Sequence, residues 1–239
     1  MASLFAQRSS RTELMDDLDL ANDALRKNLD ELEVINYWLG GNTVVINALN
    51  RLYPLKNYNG QSIRIADMGS GGGDGLRAMA LWARKKNFSA TLVGVDANAF
   101  MIEYAKEKAT NFPEIVFLQK DIFDEAFLGE SFDVVVASLF CHHFTDEALI
   151  HLFSRWYRQS REAFIINDLE RNPLAYYSIY ALTRLLGGSY LVKHDAPLSV
   201  LRAFKRKELI SLLEKAHIKR YVIRWKWAFR YQILVFSEK

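Results

Sequence analysis

The chain has 239 residues, half of them apolar and a quarter charged, with a formal charge of only +3. Such a chain buries a full core without disulfides or metal, carries too little charge to argue for a nucleic-acid partner, and holds no apolar segment long enough to span a bilayer. One cysteine, Cys141, excludes an internal disulfide, and the opening "MASLFAQRSSRTELMDD" lacks the apolar stretch of a signal peptide; both suit a reducing, cytoplasmic setting.

Residues 12–52 read as helices. Leu25, Leu29, Leu32, Ile35 and Leu39 recur at helical spacing, Gly40 and Gly41 supply a stop, and a second helix is predicted from Asn42 or Thr43. From residue 62 the pattern changes to short β-rich runs at 63–67, 91–96, 115–119, 132–140, 163–169, 220–225 and 231–237. Helical stretches separate most of them. Leu76, Met79, Ala80 and Ala83 share one stripe behind Asp74, a candidate N-cap. Met101, Tyr104 and Ala105 share another, ended by Pro113. Alternating strands and helices predict a parallel sheet covered on both faces. Only five residues separate the last two runs, too few for a parallel crossover, so they are predicted to form an antiparallel hairpin. The fold expected is therefore α/β: a doubly wound, Rossmann-like seven-stranded sheet with one antiparallel edge hairpin. The organisation expected is an N-terminal helical cap over 1–61 and a main domain over 62–239. A helical insert at 171–204 lies where such sheets cover a ligand, and is read as a lid. The helix after it starts from Lys205, which offers no Ser or Thr cap.

The stretch "ADMGSGGGDG" at 66–75 follows the first strand. Glycines at 69, 71, 72 and 73 permit positive φ and close approach of backbone to a ligand, and the helix that follows points free N–H groups into the same crevice. Asp67 stands before the glycines, where a carboxylate would repel a pyrophosphate, so a phosphate-free ligand with a cationic end suits the loop. Asp96 closes the second strand, where a carboxylate accepts from ribose hydroxyls. Asp121 and Ile122 follow the third, placed for an adenine amine and ring. This ordered set resembles the class I S-adenosylmethionine-dependent methyltransferases: Asp67, Gly69, Gly71 and Gly73 meet their D-x-G-x-G-x-G form. The resemblance implies S-adenosylmethionine as cofactor. It assigns Asp67, Gly69, Ser70 and Gly71 to the methionine portion, Asp96 and Ala97 to the ribose, Asp121 and Ile122 to adenine, and Ser138 to the cleft end of the fourth strand. An oxidoreductase using NAD is disfavoured by Asp67 and by the final hairpin.

The acceptor side is expected at "VASLFCHHF", which resembles the L-H-H ending of small-molecule members of that family. Alternation along an extended segment sends one of His142 and His143 into the cleft; His142 is the candidate, as general base or acceptor-orienting group. Three consecutive residues, Cys141 to His143, do not converge on one ion, so no metal is expected. Asp168 either faces the cleft or pairs with Arg171. Tyr37, Tyr176, Tyr177 and His194 are candidate substrate contacts, together suited to a small aromatic or phenolic acceptor. The opening helices and "HDAPLSVLRAF" look like a bacterial subgroup of polyketide, phenolic-lipid or quinone type, which implies O-methylation of an aromatic hydroxyl or quinol. The absence of "NPPY" after the fourth strand and of a basic arm argues against nucleic acid. The alternatives are an RNA or protein methyltransferase and a non-catalytic regulator that holds the cofactor. A monomer or homodimer acting on a small molecule is expected.

Overall fold

Seven strands pair into one sheet in the order β3-β2-β1-β4-β5-β7-β6. In the computed structural model, residues 4–54, 62–124, 127 and 129–237 are described. The strands are β1 (Ser62–Met68), β2 (Ser89–Asp96), β3 (Ile115–Gln119), β4 (Phe132–Ser138), β5 (Ser160–Leu169), β6 (Tyr221–Lys226) and β7 (Arg230–Phe236). β1 pairs in parallel with both β2 and β4, β4 pairs in parallel with β5, and β7 runs antiparallel to β5 and β6. The strand order therefore reverses at β1, and a crevice opens above the carboxyl ends of β1 and β4.

Helices cover both faces, which is why the central strands read as nearly unbroken apolar runs. Residues Val134–Ala137 and Ala163–Ile166 are all buried. On one face α2 (Gly41–Leu52), α3 (Asp74–Lys85) and α4 (Ala99–Lys108) contribute Leu49, Leu76, Met79 and Ile102 to the core. On the other, α5 (Asp146–Gln159) and α8 (Arg206–Lys215) contribute Phe153, Trp156, Leu209 and Leu212. Helix α1 (Asp23–Trp38) packs against the 171–204 segment, which forms two helices, α6 (Pro173–Leu185) and α7 (Tyr190–Arg202). No helix among the described residues is long and apolar enough to cross a membrane.

Two local readings of the sequence are corrected, and the missing cap at Lys205 is explained. Asp74 opens α3 but does not cap it; Gly73, with φ 72°, holds the cap position. The Asp74 carboxylate instead accepts from Asn36 Nδ2 and Asn42 Nδ2, each at 3.0 Å, tying α3 to α1 and α2. Helix α2 starts at Gly41, directly after Gly40. Helix α8 compensates for Lys205 from within: the Glu208 carboxylate accepts from the Lys205 backbone N–H at 2.8 Å. The last residues of the expected cap, 55–61, lie outside the described residues.

Residues 4–20 form a strap across the carboxyl end of the sheet. Arg8 donates to the carbonyls of His142, Phe144 and Arg202 and pairs with Asp146 at 2.7 Å. Leu14 and Met15 donate their backbone N–H groups to Asp195 of α7, and Asn98 holds the carbonyls of Leu18 and Leu20. The strap is held chiefly by hydrogen bonds and ion pairs.

Candidate active site

Two adjoining cavities occupy the crevice. The smaller, of about 260 Å³, lies over β1, β2 and the start of the segment after β3. Gly69 and Gly71 wall it with φ of 70° and 48°, conformations that disfavour any side chain. A Cβ on Gly69 would also run into the Phe140 ring. Opposite them stands Asp96, which accepts from the backbone N–H of Gly71 at 2.9 Å and of Asn98 at 3.0 Å. Burial pushes the Asp96 carboxyl above its ordinary value, against the backbone hydrogen bonds that favour its charge. Ala97, Asp121 and Ile122 complete the far end with Val95 and Met101. Asp121 also accepts from the Phe123 N–H at 2.9 Å, which fixes its carboxylate.

Asp67 lies buried beneath the glycine turn and lines neither cavity. Its Oδ1 has no hydrogen-bond partner. Burial raises its carboxyl well above the usual value, and Asp74 and Asp96 nearby add to the rise. The Asp96 and Asp121 carboxylates, a glycine backbone and an apolar far wall make an acceptor set for a ribose with a flat ring beyond it, and a poor one for phosphate. These residues fit S-adenosylmethionine.

The larger cavity, of about 400 Å³, extends from the same glycine turn towards the helices. Gly69, Gly71, Met15, Leu139 and His143 line both cavities. Its walls are mostly apolar side chains of α1, α6 and α7 and the turn between β6 and β7, with Ser70 and Ser138 at the sheet side. At its floor lies a cluster that the sequence reading placed only in part. Leu139, at φ 53°, ends the strand, and Cys141–His143 form a 3-10 turn. Side chains on such a turn do not alternate, so both histidines line the cavity, where the sequence predicts one. Their rings are 4.3 Å apart between centroids. Cys141 points into the core, and burial raises its thiol well above the ordinary range.

Each imidazole is held from behind by a carboxylate. His142 Nδ1 lies 2.7 Å from Asp168 Oδ1, and its backbone N–H donates to Asp168 Oδ2 at 3.1 Å. Burial pushes Asp168 upward, but the charge and hydrogen bond of His142 outweigh it and leave the carboxyl below its usual value. Asp168 thus turns to His142, whereas Arg171 pairs with Glu208 at 2.6 Å. His143 Nδ1 lies 2.5 Å from Asp16 Oδ1. Burial opposes the charge of Asp16, yet hydrogen bonds from His143 and its other partners lower it strongly. Arg202 binds the cluster together: it donates to the carbonyls of His142 and His143 and pairs with Asp16 at 2.6 Å.

The sequence reading missed Glu13, Asp16 and Arg202. Glu13 lines the larger cavity from the strap. Of the substrate candidates, none lines either cavity. Tyr37 is 74% exposed and packs edge-on against Trp38. Tyr176 and Tyr177 pack against each other and against Phe5. His194 pairs with Asp195 at 2.7 Å. Helical spacing turns these side chains away while Ile35 of α1, Ala175, Ser178, Ile179 and Leu182 of α6 and Ser199 of α7 face the cavity.

Residues 65–162 match the family described as a methyltransferase domain. No curated protein matches the chain. Among solved structures, human N-acetylserotonin methyltransferase in complex with S-adenosylmethionine is 18% identical, with a TM-score of 0.61 over 91% of this chain and 56% of that one. The plantazolicin methyltransferase BpumL in complex with S-adenosylhomocysteine is 15% identical, with a TM-score of 0.62 over 90% and 99%. An O-methyltransferase family protein from Burkholderia thailandensis is 12% identical, with a TM-score of 0.65 over 95% and 63%. The chain thus spans little more than half of the human protein. At these identities the likeness is one of fold. Residues 65–162 thus match a methyltransferase domain, and the fold is similar to that of methyltransferases crystallised with S-adenosylmethionine or S-adenosylhomocysteine.

Proposed function

We propose that the chain methylates a hydroxyl oxygen of a small, largely apolar acceptor of aromatic or quinol type, bound in the larger cavity. One observation carries this reading: the apolar cavity meets the smaller crevice along Gly69, Gly71 and His143, and His142, backed by Asp168, lines the apolar side next to His143. S-adenosylmethionine supplies a methyl group already activated on a sulfonium, so the chain's own work is alignment and the handling of a proton. The Asp168 carboxylate keeps a proton on Nδ1 of His142 and leaves Nε2 as the proton acceptor. The ring is 3% exposed, so its orientation is set by packing as well as by this bond. Walls from α1, α6 and the strap exclude water and select for apolar bulk. A cavity of about 400 Å³ walled on several sides suits a small molecule better than a nucleic acid or a folded protein.

The test is a panel of phenols, catechols and hydroquinones incubated with S-adenosylmethionine, with products read by mass spectrometry. Methyl ethers are expected; methylation at ring carbon alone, or of none of them, overturns the reading. His142→Gln is expected to lower kcat by roughly 10²-fold or more, the usual contribution of a positioned acid–base group. Calorimetric affinity for S-adenosylhomocysteine should stay unchanged.

A further inference from the structure

Glu13 is a buried charged group of the cleft with an unmet hydrogen-bond acceptor. Its side chain is 1% exposed, yet it belongs to a polar stretch of the strap. Oε2 accepts from the Ser199 hydroxyl at 2.9 Å. Oε1 has no hydrogen-bond partner. It lies 3.6 Å from His142 Nε2 and 3.7 Å from Arg202 Nε, both beyond hydrogen-bond reach. An orphaned, buried carboxylate oxygen is costly, roughly 1–3 kcal/mol or more, so it calls for a partner that the chain itself does not supply. Both Glu13 and His142 line the larger cavity, with Oε1 and Nε2 side by side.

We propose that Glu13 is a catalytic residue that touches the acceptor: Oε1 and His142 Nε2 together hold the acceptor hydroxyl and share its proton. The inference rests on the proposed hydroxyl methylation and adds a second proton-handling group to it. In the step, the acceptor O–H bond breaks and its proton passes to the Nε2–Oε1 pair. The oxygen–methyl bond forms as the sulfur–methyl bond breaks, and that bond's electron pair stays on sulfur. The proton later leaves to solvent, so one proton is released per methyl group transferred.

The surroundings support this division of labour. Burial pushes Glu13 up to about 7, while His143, Arg202 and the Ser199 hydroxyl oppose the rise and Asp16 adds to it. Near neutral pH the group therefore exists as both acid and carboxylate, and it can donate to an oxygen or accept from one. The groups that face it are His142 and His143 from the turn after β4, Asp16 from the strap, and Arg202 with Ser199 from α7. Glu13, His142 and His143 also offer three atoms within 4.8 Å of one another, a spacing open to a metal ion. The Arg202 guanidinium 3.7 Å from Oε1 already places a positive charge there, which favours a shared proton over a divalent cation.

The experiment uses the full chain and two probes, phenol and 4-nitrophenol, the second largely ionised near neutral pH. For Glu13→Gln, kcat on phenol is expected to fall by roughly 10-fold or more, with a clearly smaller loss on 4-nitrophenol, which needs less help to ionise. Glu13→Asp should recover part of the loss. Affinity for S-adenosylhomocysteine should not move. A readout without turnover accompanies it: calorimetry in two buffers of different ionisation enthalpy counts protons as 4-nitrophenolate binds at about pH 8. Uptake of up to one proton is expected in the native chain, and less in Glu13→Gln. Equal losses on both phenols, or unchanged proton uptake, overturn the proposal. A zinc ion retained at one per chain, and lost on Glu13→Gln, overturns it in favour of a metal site. If uptake depends on Glu13 but no methyl ether forms, the clamp stands and the reading of the reaction falls. If methyl ethers form regardless of Glu13, the reverse holds.

Discussion

The two halves of the cleft are built on different principles. The half proposed for the cofactor is built mainly from short stretches at successive strand ends, 69–71, 95–98 and 120–122, and is closed by Met15, Asp16 and Leu18 of the strap and by the turn after β4. Its geometry follows from backbone conformations that glycine alone adopts easily and from carboxylates placed at the carboxyl ends of strands. The acceptor half is gathered from segments far apart in the chain: the strap, α1, the turn after β4, α6, α7 and the β6–β7 turn. Its geometry depends on long-range ion pairs. Contacts of the first kind are fixed by local sequence. Those of the second kind exist only once the whole fold is in place.

Breaking the long-range ties should therefore cost the acceptor half most. Arg202→Ala leaves Asp16 without its arginine, frees the carbonyl of His143 and leaves that of His142 to Arg8 alone. Urea unfolding is expected to show a loss of roughly 3–5 kcal/mol, the range for breaking a buried charged pair. The cofactor half should feel a local change instead. Asp96→Ala is expected to cost roughly 1.5–3 kcal/mol of affinity for S-adenosylhomocysteine, by loss of a charged acceptor, and calorimetry checks it.

Asp67→Asn sharpens the contrast because its sign is opposite. The folded carboxyl lies well above its ordinary value, so the folded state holds its proton more tightly than the unfolded chain. The charge of Asp67 then weakens the cofactor-free fold progressively as pH rises above the ordinary carboxylate range. The asparagine variant is expected to be more stable at neutral pH, by roughly 1–3 kcal/mol, with the gap closing in acid. The smallest effect is expected outside both halves. Tyr37→Ala, at an exposed position, should change stability by less than about 0.5 kcal/mol and leave the KM of the acceptor unmoved.

This contrast also explains what was legible in the sequence. The parallel sheet follows from alternating strands and helices, the closing hairpin from five-residue spacing, and the glycine turn from its composition. The paired histidines were misjudged because alternation assumes an extended chain, and Leu139 ends it with a positive φ. The aromatic residues of α6 were misjudged by face: at helical spacing a shift of one position turns Tyr177 outward beside the inward Ser178. Glu13 was invisible because a buried carboxylate in "RTELMDD" has no local mark. One signal did exist. Arg202 sits inside the apolar run "LSVLRAF" and Arg171 at the end of a buried strand, and a cation in such a place demands partners from elsewhere in the chain.

The strap has a consequence for the order of events during synthesis. Arg8 meets the carbonyl of Arg202 across 194 positions, and Leu14 meets Asp195 across 181. The strands that carry the glycine turn, Asp96 and Asp121 leave the ribosome long before α7 does. A nascent chain therefore owns the makings of a nucleoside crevice while its opening residues still have nothing to grip, and the chamber for the second reactant is the last part of the molecule to come into being.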